Sequence, residues 1–247
     1  MHGCNGKMGK VICELVKNDA ETEMVAGVDI VSSNAPFPTY TDINDCDMPA
    51  DVLIDFSTAT AVPKVIEYAV NKKMPVVICT TGLSAETLAL IDEASKVIPV
   101  FKSANMSLGI NLIANILKKY SAVLYDAGFD VEIVERHHNQ KIDAPSGTAL
   151  LLADSVNEAV NNDLEYVYDR SNVREKRDRK ELGLHAVRGG TIVGDHQVIF
   201  AGKDEVIEFS HSAHSKEIFA VGAVKAAKFL SGKPVGKYDM QDVMNEL

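Results

Sequence analysis

Gly3-Cys4-Asn5-Gly6-Lys7-Met8-Gly9 spaces three glycines at three-residue intervals and runs directly into Lys10-Val11-Ile12-Cys13-Glu14-Leu15-Val16-Lys17. The second segment is amphipathic at helical spacing, so the pair reads as a glycine turn opening a helix. Such a turn lets backbone approach a pyrophosphate and offers it the free N–H groups of the helix start. Twenty residues past Gly9, the apolar run Val25-Ala26-Gly27-Val28 ends in Asp29. An acid at that distance suits the ribose hydroxyls of a dinucleotide. Only Met1 and His2 precede Gly3, where a strand normally delivers the chain to the first glycine. The expectation is a sheet with a truncated first strand, frayed there and binding cofactor weakly.

Working outward, residues 50–57, 74–84 and 97–102 read as buried strands, and 58–71 and 84–95 as the helices between them, with Ser84 as a cap. Regular alternation of this kind predicts a Rossmann-type, doubly wound parallel sheet with ligand loops at the strand carboxyl ends. The loops at Phe56-Ser57 and Cys79-Thr80-Thr81-Gly82 would line that edge. Ser103-Ala104-Asn105-Met106 links the fifth strand to the next helix, as an interdomain hinge beside the nicotinamide end.

The pattern then changes. Residues 129–135 alternate apolar and acidic positions, as a half-buried strand does. A helix over 148–160 follows, then the mixed-charge segment 169–181, read as a solvated loop. Residues 185–188, 190–201 and 205–214 read as three further strands, giving a smaller α+β domain with a mixed, mostly antiparallel four-stranded sheet. A long helix over 215–230 and a short one over 239–247 end the chain. The expected domains are 1–104 with 217–247, binding dinucleotide, and 105–216, binding substrate and forming the oligomer.

Composition limits the partners. A net charge of −10 argues against nucleic acid and anionic membranes, which both demand a basic face. With 46% apolar residues and no run of 18 of them, the chain reads as an ordinary globular protein placed by default in the cytoplasm. Cys4, Cys13, Cys46 and Cys79 form no C-x-x-C pair and read as free thiols.

Polar and ionisable groups crowd together in Glu135–Thr148, E-R-H-H-N-Q-K-I-D-A-P-S-G-T. Adjacent His137 and His138 point apart on a strand or tight loop, which is poor geometry for a metal, so none is expected. Ser146, His137 and Asp143 supply the residue types of a hydrolase triad but lack a G-x-S-x-G elbow. Reduction of an anionic imine or carbonyl suits the residues better. Lysine and histidine can supply charge and a proton as hydride arrives, while Gly147 and Thr148 at a helix start hold a carboxylate. The other readings carried forward are a metal enzyme or hydrolase using His137 and His138, and a catalytically impaired dinucleotide-binding sensor.

H-G-C-N-G-K-M-G, C-T-T-G, V-R-G-G-T-I-V-G-D-H and above all H-H-N-Q-K-I-D-A-P-S-G-T together resemble the 4-hydroxy-tetrahydrodipicolinate reductase family. The resemblance runs through essentially the whole chain. It implies NADH- or NADPH-dependent reduction of a cyclic imine dicarboxylate on the diaminopimelate route to lysine, by a homotetramer. It implies His137 and Lys141 as proton-transferring residues, and His138, Gly147 and Thr148 as substrate contacts. Cofactor contacts are implied for Gly3, Cys4, Asn5, Gly6, Lys7, Met8, Asp29, Cys79, Thr80, Thr81, Ser103, Ala104, Asn105 and Met106. Ile30 stands where some members carry an arginine for the 2′-phosphate, and Asp29 repels that phosphate, so NADH preference is expected. Cys79 stands where glycine is common.

Overall fold

The computed structural model describes residues 1–31 and 35–246. They form two compact units, 1–107 with 217–247, and 108–216.

The first unit begins with the glycine turn and helix α1 (Lys7–Lys17), which buries Gly9, Ile12 and Val16 along one face. Strands β1 (Gly27–Val28), β2 (Thr39–Tyr40), β3 (Leu53–Asp55), β4 (Val76–Ile78) and β5 (Pro99–Phe101) follow, with α2 (Val62–Lys72) and α3 (Ala85–Ala94) as crossovers. All the residues of β3, β4 and β5 are buried, as strands covered on both faces must be. Ser84 caps α3 by accepting the Thr87 N–H at 3.2 Å.

Between β1 and β3 the chain places Met1 and His2. His2 makes parallel bridges to Val28 and Asp55. The Val28 N–H donates to Met1 O at 2.8 Å, and His2 N donates to Ile54 O at 2.9 Å. A regular strand is replaced by one bridging residue, which still joins β2 and β1 to β3, β4 and β5. A cavity of about 940 Å³ in this unit is lined among others by Met1, Ala26, Leu53 and Ile54. The sheet is therefore connected through His2 rather than open at its centre.

In the second unit, α4 (Leu108–Asp126) leads to β6 (Asp130–His137), α5 (Gly147–Ala159), β7 (Glu165–Val167), β8 (Glu181–Arg188), β9 (Gly194–Ala201) and β10 (Val206–Ala213). Their order is β10-β9-β6-β8-β7, with β9 antiparallel to β6 and β10, and β8 parallel to β6 and β7. The sheet thus has five strands, one more than the sequence suggested. The addition, β7, is a three-residue edge strand without alternation. Helices α4 and α5 close one face, packing Leu117, Leu152 and Val156 onto Val131, Ile133, Leu184 and Phe200.

Residues 169–181 are only partly the solvated loop expected. Arg177 Nε donates to Glu132 at 2.8 Å, its Nη1 to Asp130 at 2.8 Å and its Nη2 to Val131 O at 3.0 Å. A planar guanidinium can satisfy several acceptors at once, so this residue staples the loop to β6.

The chain returns to the first unit through α6 (Glu217–Leu230), β11 (Gly236–Tyr238) and α7 (Met240–Asn245). Strand β11 pairs in parallel with β5. A Cβ on Gly222 of α6 would lie 1.7 Å from Met106 O, so that helix rests on backbone that only glycine accommodates. Leu247, the end of the expected final helix, lies outside the described residues.

Candidate active site

The glycine turn is built by contacts that exclude side chains. Gly3 has φ +80°, and a Cβ there would lie 2.5 Å from Phe56 O; one on Gly9 would lie 2.1 Å from Gly3 O. Gly6 begins α1 without any side-chain cap, and a Cβ on it would meet only Gly3 O at 3.3 Å. The result is a helix start faced by bare backbone, which fits a pyrophosphate. Gly6 and Lys7 are exposed, Asn5 and Met8 half-buried, and Cys4 is buried. The Asn5 N–H donates to Asp29 Oδ2 at 2.9 Å, so the acid at the end of β1 stands against the turn.

The other expected cofactor residues divide by burial. Thr81 and Ala104 are exposed and Ser103 half-buried, whereas Cys79, Thr80, Asn105 and Met106 are buried. Burial pushes the Cys79 thiol well above its ordinary value. Thr80 donates its hydroxyl to Asp55 Oδ2 at 2.6 Å. Asp55, fully buried, also accepts from Ser57 Oγ at 2.6 Å and pairs with His2 Nδ1 at 2.7 Å. Asp55 was not singled out from the sequence. It ties the glycine turn to the loops after β3 and β4.

In the second unit, β6 delivers the chain to the polar stretch, and Glu135 and His137 lie two residues apart on its buried face. His137 Nδ1 sits 2.6 Å from Glu135 Oε2. Arg188, at the end of β8, donates to both Glu135 oxygens at 2.7 Å and to Asp143 O at 2.7 Å. The Ser146 N–H donates to Glu135 Oε1 at 3.0 Å. Burial alone would raise the Glu135 carboxyl, but Arg188, then His137 and the Ser146 N–H, hold it below the usual carboxylate range. A Cβ on Gly194 would come within 3.0 Å of His137 Nε2, so glycine there preserves space beside that nitrogen.

Ser146 caps α5, accepting the Ala149 N–H at 3.1 Å, and its hydroxyl lies 2.9 Å from His196 Nε2. Gly147 and Thr148 start that helix. His138 is half-buried just past β6, and Lys141 Nζ pairs with Asp143 Oδ1 at 2.9 Å. The Ser146-His137-Asp143 triad does not form. His137 pairs with Glu135, Ser146 with His196 and Asp143 with Lys141, leaving a buried cap in place of a nucleophile.

Glu135, Arg188 and His196 were not recognised in the sequence as site residues. Glu135 could have been found from phase, since it follows Val131 and Ile133 at period two and so falls on the apolar face. Arg188 and His196 lie about 50 residues away in sequence, and no local pattern marks them.

Burial, then repulsion from His137, pushes the His196 imidazole down to about 4 from its ordinary 6.5. Because the folded value is the lower one, acid protonates the unfolded chain first. The stabilisation is complete above pH 6.5 and is lost as pH falls toward 4. A drop in Tm is expected across that window, and it should flatten in His196→Gln. An equally steep decline in the variant would assign the acid sensitivity elsewhere.

A glycine cradle for pyrophosphate in one unit and groups suited to proton transfer in the other are the division of labour of a dinucleotide-dependent oxidoreductase. Two family models resolve this further: dihydrodipicolinate reductase, N-terminus, matches residues 1–106, and dihydrodipicolinate reductase, C-terminus, matches 109–244. The chain belongs to the dihydrodipicolinate reductase family. It is 54% identical to the 4-hydroxy-tetrahydrodipicolinate reductase of Caldanaerobacter subterraneus subsp. tengcongensis, over 100% of this chain and 97% of the relative. It is 53% identical to that of Clostridium tetani, over 98% and 95%. In fold it resembles a dipicolinate-bound dihydrodipicolinate reductase from Paenisporosarcina sp. TG-14, with a TM-score of 0.79, 22% identity and coverage of 96% and 95%.

Proposed function

We propose that the chain performs its family's reaction with His137 and Lys141 as the proton-transferring residues. It is an NAD(P)H-dependent oxidoreductase that reduces 4-hydroxy-tetrahydrodipicolinate to tetrahydrodipicolinate, in diaminopimelate and lysine biosynthesis. The observation that carries the residue roles is the arrangement from the end of β6 onward, where His137, Lys141 and the start of α5 all belong to one short stretch.

The reduced nicotinamide supplies the hydride when bound. Gly3, Gly6, Lys7 and Met8 would hold its pyrophosphate, Asp29 would accept from a ribose, and Thr81, Ser103 and Ala104 would complete the contacts, with Cys4, Asn5, Cys79, Thr80, Asn105 and Met106 shaping the loops that carry them. Gly147, Thr148 and His138 hold the substrate's carboxylates. Helix-start N–H groups favour anions, which lets a chain of net charge −10 capture a dianion. Lys141 places an ammonium beside the imine, and His137 moves a proton at Nε2. Dipicolinate, the ligand of the Paenisporosarcina protein, is expected to compete here as a planar dicarboxylate. A cytoplasmic homotetramer belongs to the same proposal, checked by solution mass. Among the described residues no helix is long and apolar enough to cross a membrane.

NADH is the preferred cofactor. The Asp29 carboxylate at the turn repels a 2′-phosphate, and Ile30, beside it, is 90% exposed and supplies no compensating cation. With the unstable substrate generated in place, kcat/KM is expected to favour NADH over NADPH by about tenfold or more, equivalent to roughly 1.4 kcal/mol. Asp29→Ser should narrow the ratio. Equal efficiencies in the parent chain would show that Lys7 offsets Asp29.

A further inference from the structure

We infer that Glu135, clamped by Arg188, is the positioning residue that fixes the tautomer of His137 and thereby selects Nε2 as the nitrogen that exchanges a proton. The inference deepens the proposed reaction and rests on His137 as its proton-transferring group.

The lone pairs of Glu135 decide the tautomer. An ionised carboxylate offers about four acceptor sites. At Glu135 they face the two Arg188 nitrogens at 2.7 Å, the Ser146 N–H at 3.0 Å and His137 Nδ1 at 2.6 Å. Arg188 and the backbone can only donate. The carboxylate can hold no proton of its own without breaking one of these bonds, and it remains ionised because Arg188 compensates its burial. His137 Nδ1 must therefore carry the hydrogen, which leaves the Nε2 lone pair to accept a proton. When Nε2 takes that proton, the fixed negative charge of Glu135 stabilises the imidazolium.

The remaining charged and titratable neighbours do not compete for Nδ1. On β9, His196 stacks edge-on at 5.1 Å and directs Nε2 at Ser146 Oγ. His211 on β10 and Asp195 on β9 act on His196. On the loop after β6, the Lys141 ammonium is paired with the Asp143 carboxylate. Glu135 also receives the Ser146 N–H, so the same carboxylate holds the turn that starts α5. One residue thus orients both the proton-transferring imidazole and the helix end assigned to the substrate carboxylate. Its position makes it an orienting group rather than a catalytic one, since the residues around it enclose it completely.

Two measurements test this. In the resting wild-type protein, with the His137 signals assigned by comparison with His137→Asn, nitrogen NMR of the neutral imidazole should report Nδ1–H. A predominant Nε2–H form overturns the inference, and because no turnover is involved, it does so whatever the fate of the proposed reaction. In Glu135→Gln, the amide presents donors to a cluster of donors. A fall in kcat of about 10²- to 10³-fold is expected, with KM for substrate and cofactor changed less than about threefold and the kcat–pH profile displaced. Arg188→Lys, which keeps the charge but loses the bidentate clamp, should fall between Glu135→Gln and wild type. A folded Glu135→Gln protein with wild-type kcat and an unmoved pH profile removes the positioning role. If Glu135→Gln does not fold, the wild-type tautomer decides.

Discussion

Lys141→Ala is expected to lower kcat about 10³-fold, within the range typical for loss of a positioned proton donor, while the Kd for reduced nicotinamide stays within about twofold. The two effects separate because the residue lies in the second unit, whereas the glycine cradle lies in the first. Lys141 is held by an ion pair to Asp143 at 2.9 Å, and that carboxylate is 61% exposed at its side chain. Such an exposed pair is weak. It aims the ammonium without preventing it from turning to a bound dianion. Asp143→Ala should therefore cost far less than Lys141→Ala. Steady-state rates of both variants, with cofactor binding followed by fluorescence, check the pattern; unchanged turnover in Lys141→Ala removes it from the chemistry.

Gly9→Ala is expected to be the most damaging single change in the cofactor turn. The added methyl would lie 2.1 Å from Gly3 O and 2.8 Å from the Cys4 backbone, and neither can yield without dismantling the turn. Overpacking typically costs about 1–3 kcal/mol, and contacts this short against fixed backbone place Gly9→Ala at the upper end, about 3 kcal/mol. For a chain of this size that corresponds to a Tm lower by roughly 10 °C, with cofactor binding lost. Gly6→Ala is the control. Its methyl meets only Gly3 O at 3.3 Å, so the fold should survive with Tm lowered by about 2 °C or less. Because Gly6 is exposed at the helix start, cofactor affinity should still weaken. Equal Tm losses in the two variants would contradict the packing argument.

Much of the fold was legible because parallel strands buried on both faces read as unbroken apolar runs, as Val76–Ile78 does. The less legible parts depend on pairing across long separations. His2 substitutes for a strand because Val28 and Asp55 flank it, and neither contact is encoded near the glycines. Strand β7 is three residues long and owes its place to β8.

At the site, the residue types were visible and the partnerships were not. The sequence offers Ser146, His137 and Asp143 within ten residues, yet folding pairs each with something else. His137 turns to Glu135 because alternate residues share a strand face. Ser146 and His196, fifty residues apart, meet because the α5 cap packs against β9. Arg188 reaches Glu135 because β8 runs parallel to β6 in a register that brings their ends together. The run of acidic and apolar residues before His137 suggested a polar face, but Glu135 sits in phase with Val131 and Ile133 and is fully buried.

The most direct measurement follows nicotinamide absorbance while 4-hydroxy-tetrahydrodipicolinate is generated in place. Reduced cofactor should be consumed only when the substrate is being made, at a rate proportional to this chain, and consumption should fall by about 10³-fold in His137→Gln and in Lys141→Ala. Cofactor bound normally but not consumed, or consumed by the two variants as fast as by the unaltered chain, would contradict the reaction and the residues assigned to it.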